Sequence, residues 1–104
     1  MTPPLMRRAE GHGVSINVAV WEGAAGPVFC IHGITANCRC WDRLARRLSP
    51  AYRILAMDLR GRGRSEKPAA GYSLESHTRD IRCVLDDLRI DRAVIMGHSL
   101  GAFI

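Results

Sequence analysis

The chain has 104 residues, of which 47% are hydrophobic and 24% charged, a size for one small domain and a balance that excludes a disordered chain. No apolar run approaches the roughly 18 residues of a membrane span, and the opening MTPPLMRRAE carries two arginines with no apolar stretch behind them. Neither a membrane partner nor a secretory leader is expected, and the expected location is cytoplasmic. The net charge is +5, and RGRGR at 60–64 is basic enough to suggest phosphate contacts, but no aromatic interleaving accompanies it, so no nucleic-acid partner is expected.

In chain order, VSINVAVW at 14–21 begins with apolar–polar alternation and reads as a half-buried strand. Gly23 to Pro27 read as a turn. VFCI at 28–31 is wholly apolar, the pattern of a strand covered on both faces. In NCRCWDRLARRLS, Trp41, Leu44, Ala45 and Leu48 make one helical stripe, with Asn37 as N-cap and Ser49-Pro50 as the stop. YRILAM at 52–57 reads as a second buried strand closed by Asp58, and the glycine-rich stretch after it as a loop. Ser73 then caps a helix to about Leu88, with Leu74, Ile81, Val84, Leu85 and Leu88 on its apolar side. AVIMG at 93–97 is a third apolar run, and a helix starts behind it. Strands alternating with helices imply an α/β fold with a mostly parallel sheet, of which this chain supplies three or four strands.

The cysteines Cys30, Cys38, Cys40 and Cys83 have neither zinc-site nor C-x-x-C spacing. They are expected as reduced thiols, Cys38 and Cys40 on different helix faces and Cys30 and Cys83 packed as small hydrophobes. No metal and no cofactor is expected.

Ligands of open α/β sheets bind beyond the carboxyl ends of the strands. His32-Gly33, Asp58 and Ser99 each follow an apolar run directly, so all three are candidates for one site. Gly97-His98-Ser99-Leu100-Gly101 fits G-x-S-x-G, a sharp strand-to-helix turn that holds a serine hydroxyl exposed. The turn needs small residues two before and two after the serine, and Gly97 and Gly101 supply them. A backbone N–H after the first buried strand and the N–H just past the serine form an oxyanion hole in such a site, which assigns the donors to Ile34 and Leu100.

HGITANCRCW, DLRGRGRS and GHSLG, in this order on these elements, resemble the α/β-hydrolase superfamily. The resemblance runs from about Val14 to the last residue and is similar to the esterases, C–C bond hydrolases and related serine hydrolases. It implies Ser99 as nucleophile, Ile34 and Leu100 as oxyanion-hole donors, and His32, Gly33, Gly97, His98, Gly101 and Asp58 as scaffold around the site. It also implies a small-molecule substrate for the complete protein, an ester, lactone, amide or activated C–C bond. The dehalogenase and epoxide-hydrolase branches carry aspartate where this chain has Ser99. The superfamily orders its triad Ser, Asp or Glu, then His, so the chain is expected to be the N-terminal part of one hydrolase domain, incomplete and inactive by itself. His12, His32, His77 and His98 are not expected to serve as the base. The last strand is expected to leave an open edge, so a non-catalytic binding or self-associating module is the alternative reading.

Overall fold

A computed structural model describes residues 3–104. Met1 and Thr2, part of the opening read for a leader, lie outside the described residues. Strands β1 (Leu5–Glu10), β2 (Ser15–Trp21), β3 (Ala25–Ile31), β4 (Tyr52–Met57) and β5 (Val94–Gly97) form one sheet in the order β1-β2-β4-β3-β5. Helices α1 (Asp42–Leu48), α2 (Leu74–Asp87) and α3 (Leu100–Phe103) flank it, and a 3-10 turn at Cys38–Trp41 leads into α1.

The sheet is mixed rather than mostly parallel. β3 lies parallel to β4 and β5, whereas β1 pairs antiparallel with β2 and β2 with β4. The sequence reading missed β1. LMRRAE has two arginines and only Ala9 fully buried, so its strand character comes from its ladder with β2 and not from an apolar pattern. Charges on such a strand also discourage further pairing at the edge. The turn expected at Gly23 to Pro27 is shorter than that: β3 begins at Ala25, and its ladder with β4 shifts register between Ala25 and Val28.

Period-two alternation sorts the strand residues onto two faces. Val18, Val20, Phe29, Ile31, Leu55 and Met57 pack on one side against Val84 of α2. Ala19, Trp21, Val28, Cys30, Ile54 and Ala56 pack on the other against Ala45 of α1. The run VFCI is therefore covered on both sides as expected, and burying a side chain such as Phe29 contributes about 1.5–3 kcal/mol. Trp41, Leu44 and Leu48 flank Ala45 in the second cluster, and Ile81, Leu85 and Leu88 flank Val84 in the first. Leu74, expected on the apolar side, is instead half exposed at the start of α2.

The caps follow the sequence. The Asn37 side chain accepts from the Arg39 N–H, capping the 3-10 turn, and Ser73 accepts from the Ser76 N–H at the start of α2. Cys38 is buried and Cys40 exposed, on different faces as expected; Cys30 is buried, and Cys83 only partly so. Among the described residues β5 pairs with β3 alone, and it exposes Val94 and Ile95. Among the described residues, no helix is long and apolar enough to cross a membrane.

Candidate active site

The ladder between β3 and β5 ends at the pair Ile31↔Gly97. His98 N–H donates to the Ile31 carbonyl at 3.1 Å, and the chain then turns sharply into α3. The turn is made at Ser99, whose backbone has φ 55° and ψ −119°. A non-glycine residue in that region is strained, at a cost on the order of 1–3 kcal/mol. The side chain stands exposed, and Ser99 Oγ makes no hydrogen bond among the described residues.

Sterics explain the two flanking glycines. A Cβ on Gly97 would lie 2.6 Å from the Gly101 carbonyl oxygen and 2.7 Å from Ala102 Cα. A Cβ on Gly101 would collide with the Ile31 carbonyl and sit 2.9 Å from that of His32. Small residues two before and two after the serine thus have direct causes: α3 folds back over Gly97 at the end of β5, and Gly101 packs against the end of β3.

The loop after β3 comes up against this turn. A Cβ on Gly33 would lie 3.2 Å from Ser99 Cβ. The Gly33 carbonyl accepts from the Ala36 N–H, closing a tight turn over residues 33–36. Neither the Ile34 N–H nor the Leu100 N–H has a partner among the described residues. The exposed serine thus has one unpaired backbone donor on the residue after it, Leu100, and another on Ile34, the residue after the Gly33 that approaches it.

His32 is fully buried and both ring nitrogens are engaged. Nδ1 lies 2.6 Å from the Gly33 carbonyl oxygen, and Nε2 lies 3.0 Å from the Leu59 nitrogen. A carbonyl only accepts and an amide N–H only donates, so the hydrogen sits on Nδ1 and Nε2 accepts. Burial lowers the His32 pKa below its ordinary 6.5, against the opposing pull of the Gly33 carbonyl and Asp58. The ring is a neutral brace between two loops.

Asp58 joins three segments. Its Oδ1 accepts from the Cys38 N–H at 2.7 Å, and its Oδ2 from the Arg64 N–H at 2.9 Å and from Asn17 Nδ2 at 3.0 Å. Burial pushes its pKa up, but these bonds to the carboxylate outweigh burial and hold it below the usual 3.8. The neighbouring Cys38 thiol is pushed up to about 12, by burial first and then by the Asp58 charge. Asp58 thus ties β2, the 3-10 turn and the glycine-rich loop together; Asn17, its partner from β2, gave no signal in the sequence.

The other histidines differ in setting. His98 is exposed beside Ser99. His12 is exposed in the turn between β1 and β2, where its backbone N–H donates to Asp80. His77, expected at the border of the core, is buried in α2, and its Nδ1 has no partner among the described residues. Two of the three arginines of RGRGR are committed within the molecule: Arg60 to Asp80, and Arg62 to the Ile34 carbonyl. No cluster of three His, Cys, Asp or Glu suited to a metal ion stands among the described residues.

Residues 26–104 match the alpha/beta hydrolase fold family. The chain belongs to that family. Within it, the chain is 36% identical over 99 residues to the 2-(acetamidomethylene)succinate hydrolase of Mesorhizobium japonicum, a match covering 94% of this chain and 35% of that protein. It is 40% identical over 96 residues to an epoxide hydrolase of Caballeronia sordidicola, covering 88% of this chain and 28% of the relative. Its fold is similar to the crystal structure of an alpha/beta hydrolase from Novosphingobium aromaticivorans, with a TM-score of 0.92 at 30% identity, covering 99% of this chain and 38% of the other. The chain spans about a third of the length of the curated relatives it matches.

Proposed function

We propose that the whole protein is a serine hydrolase of the α/β-hydrolase type. Its substrate is a small molecule with an ester, lactone, amide or activated C–C bond. The observation that carries this reading is the strained, exposed Ser99 with two unpaired N–H groups, of Ile34 and Leu100, on the elements beside it. Ser99 Oγ attacks the acyl carbon and passes its proton to a base. The N–H groups of Ile34 and Leu100 receive the oxyanion, each donor contributing about 3 kcal/mol to the transition state. Collapse expels the leaving group and leaves an acyl-enzyme, which water hydrolyses. The base and its orienting acid come from outside these 104 residues, since His32 spends both ring nitrogens on backbone partners. On this reading residues 1–104 are the nucleophile-bearing part of a single domain and are inactive alone. Similarity to an epoxide hydrolase does not shift the chemistry, because serine at 99 suits an acyl-enzyme where that branch uses aspartate.

A fluorophosphonate probe on the whole protein tests the proposal. Labelling at Ser99, lost in Ser99→Ala, is expected; an unlabelled wild type overturns it. The exposed edge of β5, with Val94 and Ile95, favours a second reading for the 104-residue chain by itself, a self-associating module. A concentration-independent monomer in sedimentation would exclude that reading.

A further inference from the structure

We propose that Arg62 is a positioning residue for the oxyanion loop: its guanidinium, anchored on the Ile34 carbonyl, keeps the Ile34 N–H aimed beside Ser99. The inference rests on the reading of Ser99 as nucleophile.

Each end of the loop's short turn needs its own restraint. The Gly33 carbonyl is fixed twice, by His32 Nδ1–H and by the Ala36 N–H. The Ile34 carbonyl has one partner among the described residues, Arg62 Nε–H at 2.7 Å. Packing does not substitute for that bond, because the Ile34 side chain is 54% exposed. The peptide that follows the candidate donor, Ile34–Thr35, is thus held by a single charge-assisted hydrogen bond, a class roughly twice as strong as a neutral one, and that bond fixes the C-terminal side of the residue whose N–H is the donor.

Arg62 is itself well anchored. Its N–H donates to the Leu59 carbonyl at 2.9 Å, and its carbonyl accepts from the Ser65 N–H at 3.1 Å. The same short loop is tied down by the bond from the Arg64 N–H to Asp58. A rigid base therefore presents the guanidinium to the one carbonyl of the turn, that of Ile34, which the Gly33 bonds leave unheld. An N–H donor counts in the transition state only when it points at the oxyanion, and a misplacement of about 1 Å costs on the order of a hundredfold in rate. Losing the anchor should therefore lower kcat and spare KM. Lysine, with one flexible ammonium, should restore part of the effect, since it can still donate to the carbonyl.

The test uses the whole protein and its Arg62→Met and Arg62→Lys variants, with p-nitrophenyl butyrate as substrate and amide hydrogen exchange as a second readout. Arg62→Met is expected to lower kcat about tenfold or more with KM within about twofold. It should also speed exchange at Thr35 and Ala36, and Arg62→Lys should fall between it and wild type on both measures. Unchanged kcat with unchanged exchange overturns the proposal. So does a rise in KM alone, which would make Arg62 a substrate contact. Fluorophosphonate labelling of wild type separates the two layers. If wild type is not labelled, the nucleophile reading fails and takes the catalytic role of Arg62 with it; faster exchange in Arg62→Met would then still establish the anchor, and unchanged exchange would remove it.

Discussion

Arg60 and Asp80 form a bidentate ion pair between the loop after β4 and helix α2, with Nε 2.6 Å from Oδ2 and Nη2 2.7 Å from Oδ1. The side chains are 6% and 0% exposed. The pair also gathers the surrounding backbone: Arg60 donates to the carbonyls of Gly71 and His12, and Asp80 accepts from the His12 N–H. One buried clamp therefore joins the β1–β2 turn, the glycine-rich loop and α2. Asp80→Asn should cost about 3–5 kcal/mol, because it leaves a buried guanidinium without its counter-charge. Arg60→Met with Asp80→Leu should recover much of that loss. Urea denaturation measures both, and a cost below about 1 kcal/mol for Asp80→Asn would show that water reaches the pair.

Strain at Ser99 sets stability against chemistry. Glycine tolerates φ 55° and ψ −119° where serine does not. Ser99→Gly should therefore stabilise the fold by about 1 kcal/mol while abolishing probe labelling. Ser99→Ala should abolish labelling with no such gain. Thermal unfolding of the three forms decides whether the strain is real.

Close approach makes Gly101 less replaceable than its exposed surroundings suggest. Its added Cβ meets backbone carbonyls of β3, which cannot rotate aside as a side chain would. Gly101→Ala should cost about 3 kcal/mol or more. Ala102→Ser, one residue on at an exposed position, should change stability by less than about 0.5 kcal/mol. Denaturant midpoints for the two variants provide the comparison.

Stability should fall on mild acidification. Burial lowers the pKa of both His32 and His77 below 6.5; at His77, Asp80 opposes this and Arg60, Arg62 and His32 reinforce it. Groups with a depressed histidine pKa take up protons more readily unfolded than folded. Their contribution is thus fully present above about pH 6.5 and is lost as the pH falls from there through the folded values. Below about pH 4 the depressed pKa of Asp58 adds a second loss in the same direction. His77→Leu should reduce the first loss between pH 7 and 5, leaving the share due to His32. Urea midpoints taken across that range would show an unchanged slope if His77 were not responsible.

Local constraints were legible in the sequence, and remote pairings were not. Gly97 and Ser99 reveal a sharp turn because the crowding at Gly97 arises within a few residues; Gly101, crowded by the remote Ile31 carbonyl, was legible only through its spacing from Ser99. Ser73 and Asn37 read as caps for the same reason, since their partners lie two or three residues away. β1 was invisible because its arginines carry no apolar rhythm, and its neighbour β2 alone makes it a strand. Arg60 reads only as part of the basic RGRGR cluster and Asp80 gives no signal, since nothing within either segment announces a partner 20 residues away. Asn17 and the Arg62 contact were missed likewise: Asn17 bonds to Ser65 and Asp58, and Arg62 to the Ile34 carbonyl, all far away along the chain.

Gly33 and Ser99 each stand two residues beyond the last rung of the β3–β5 ladder, Ile31↔Gly97. Their meeting is therefore fixed by counting along two backbones and is largely indifferent to which apolar side chains fill the rungs. Deleting or inserting a single residue between positions 28 and 33, or between 94 and 99, would move one partner by about 3.3 Å along its strand and turn it to the opposite face. These two short stretches should tolerate exchanges of Val, Ile and Leu yet reject every change in length, a contrast that a deletion scan read out by Ser99 labelling would make visible.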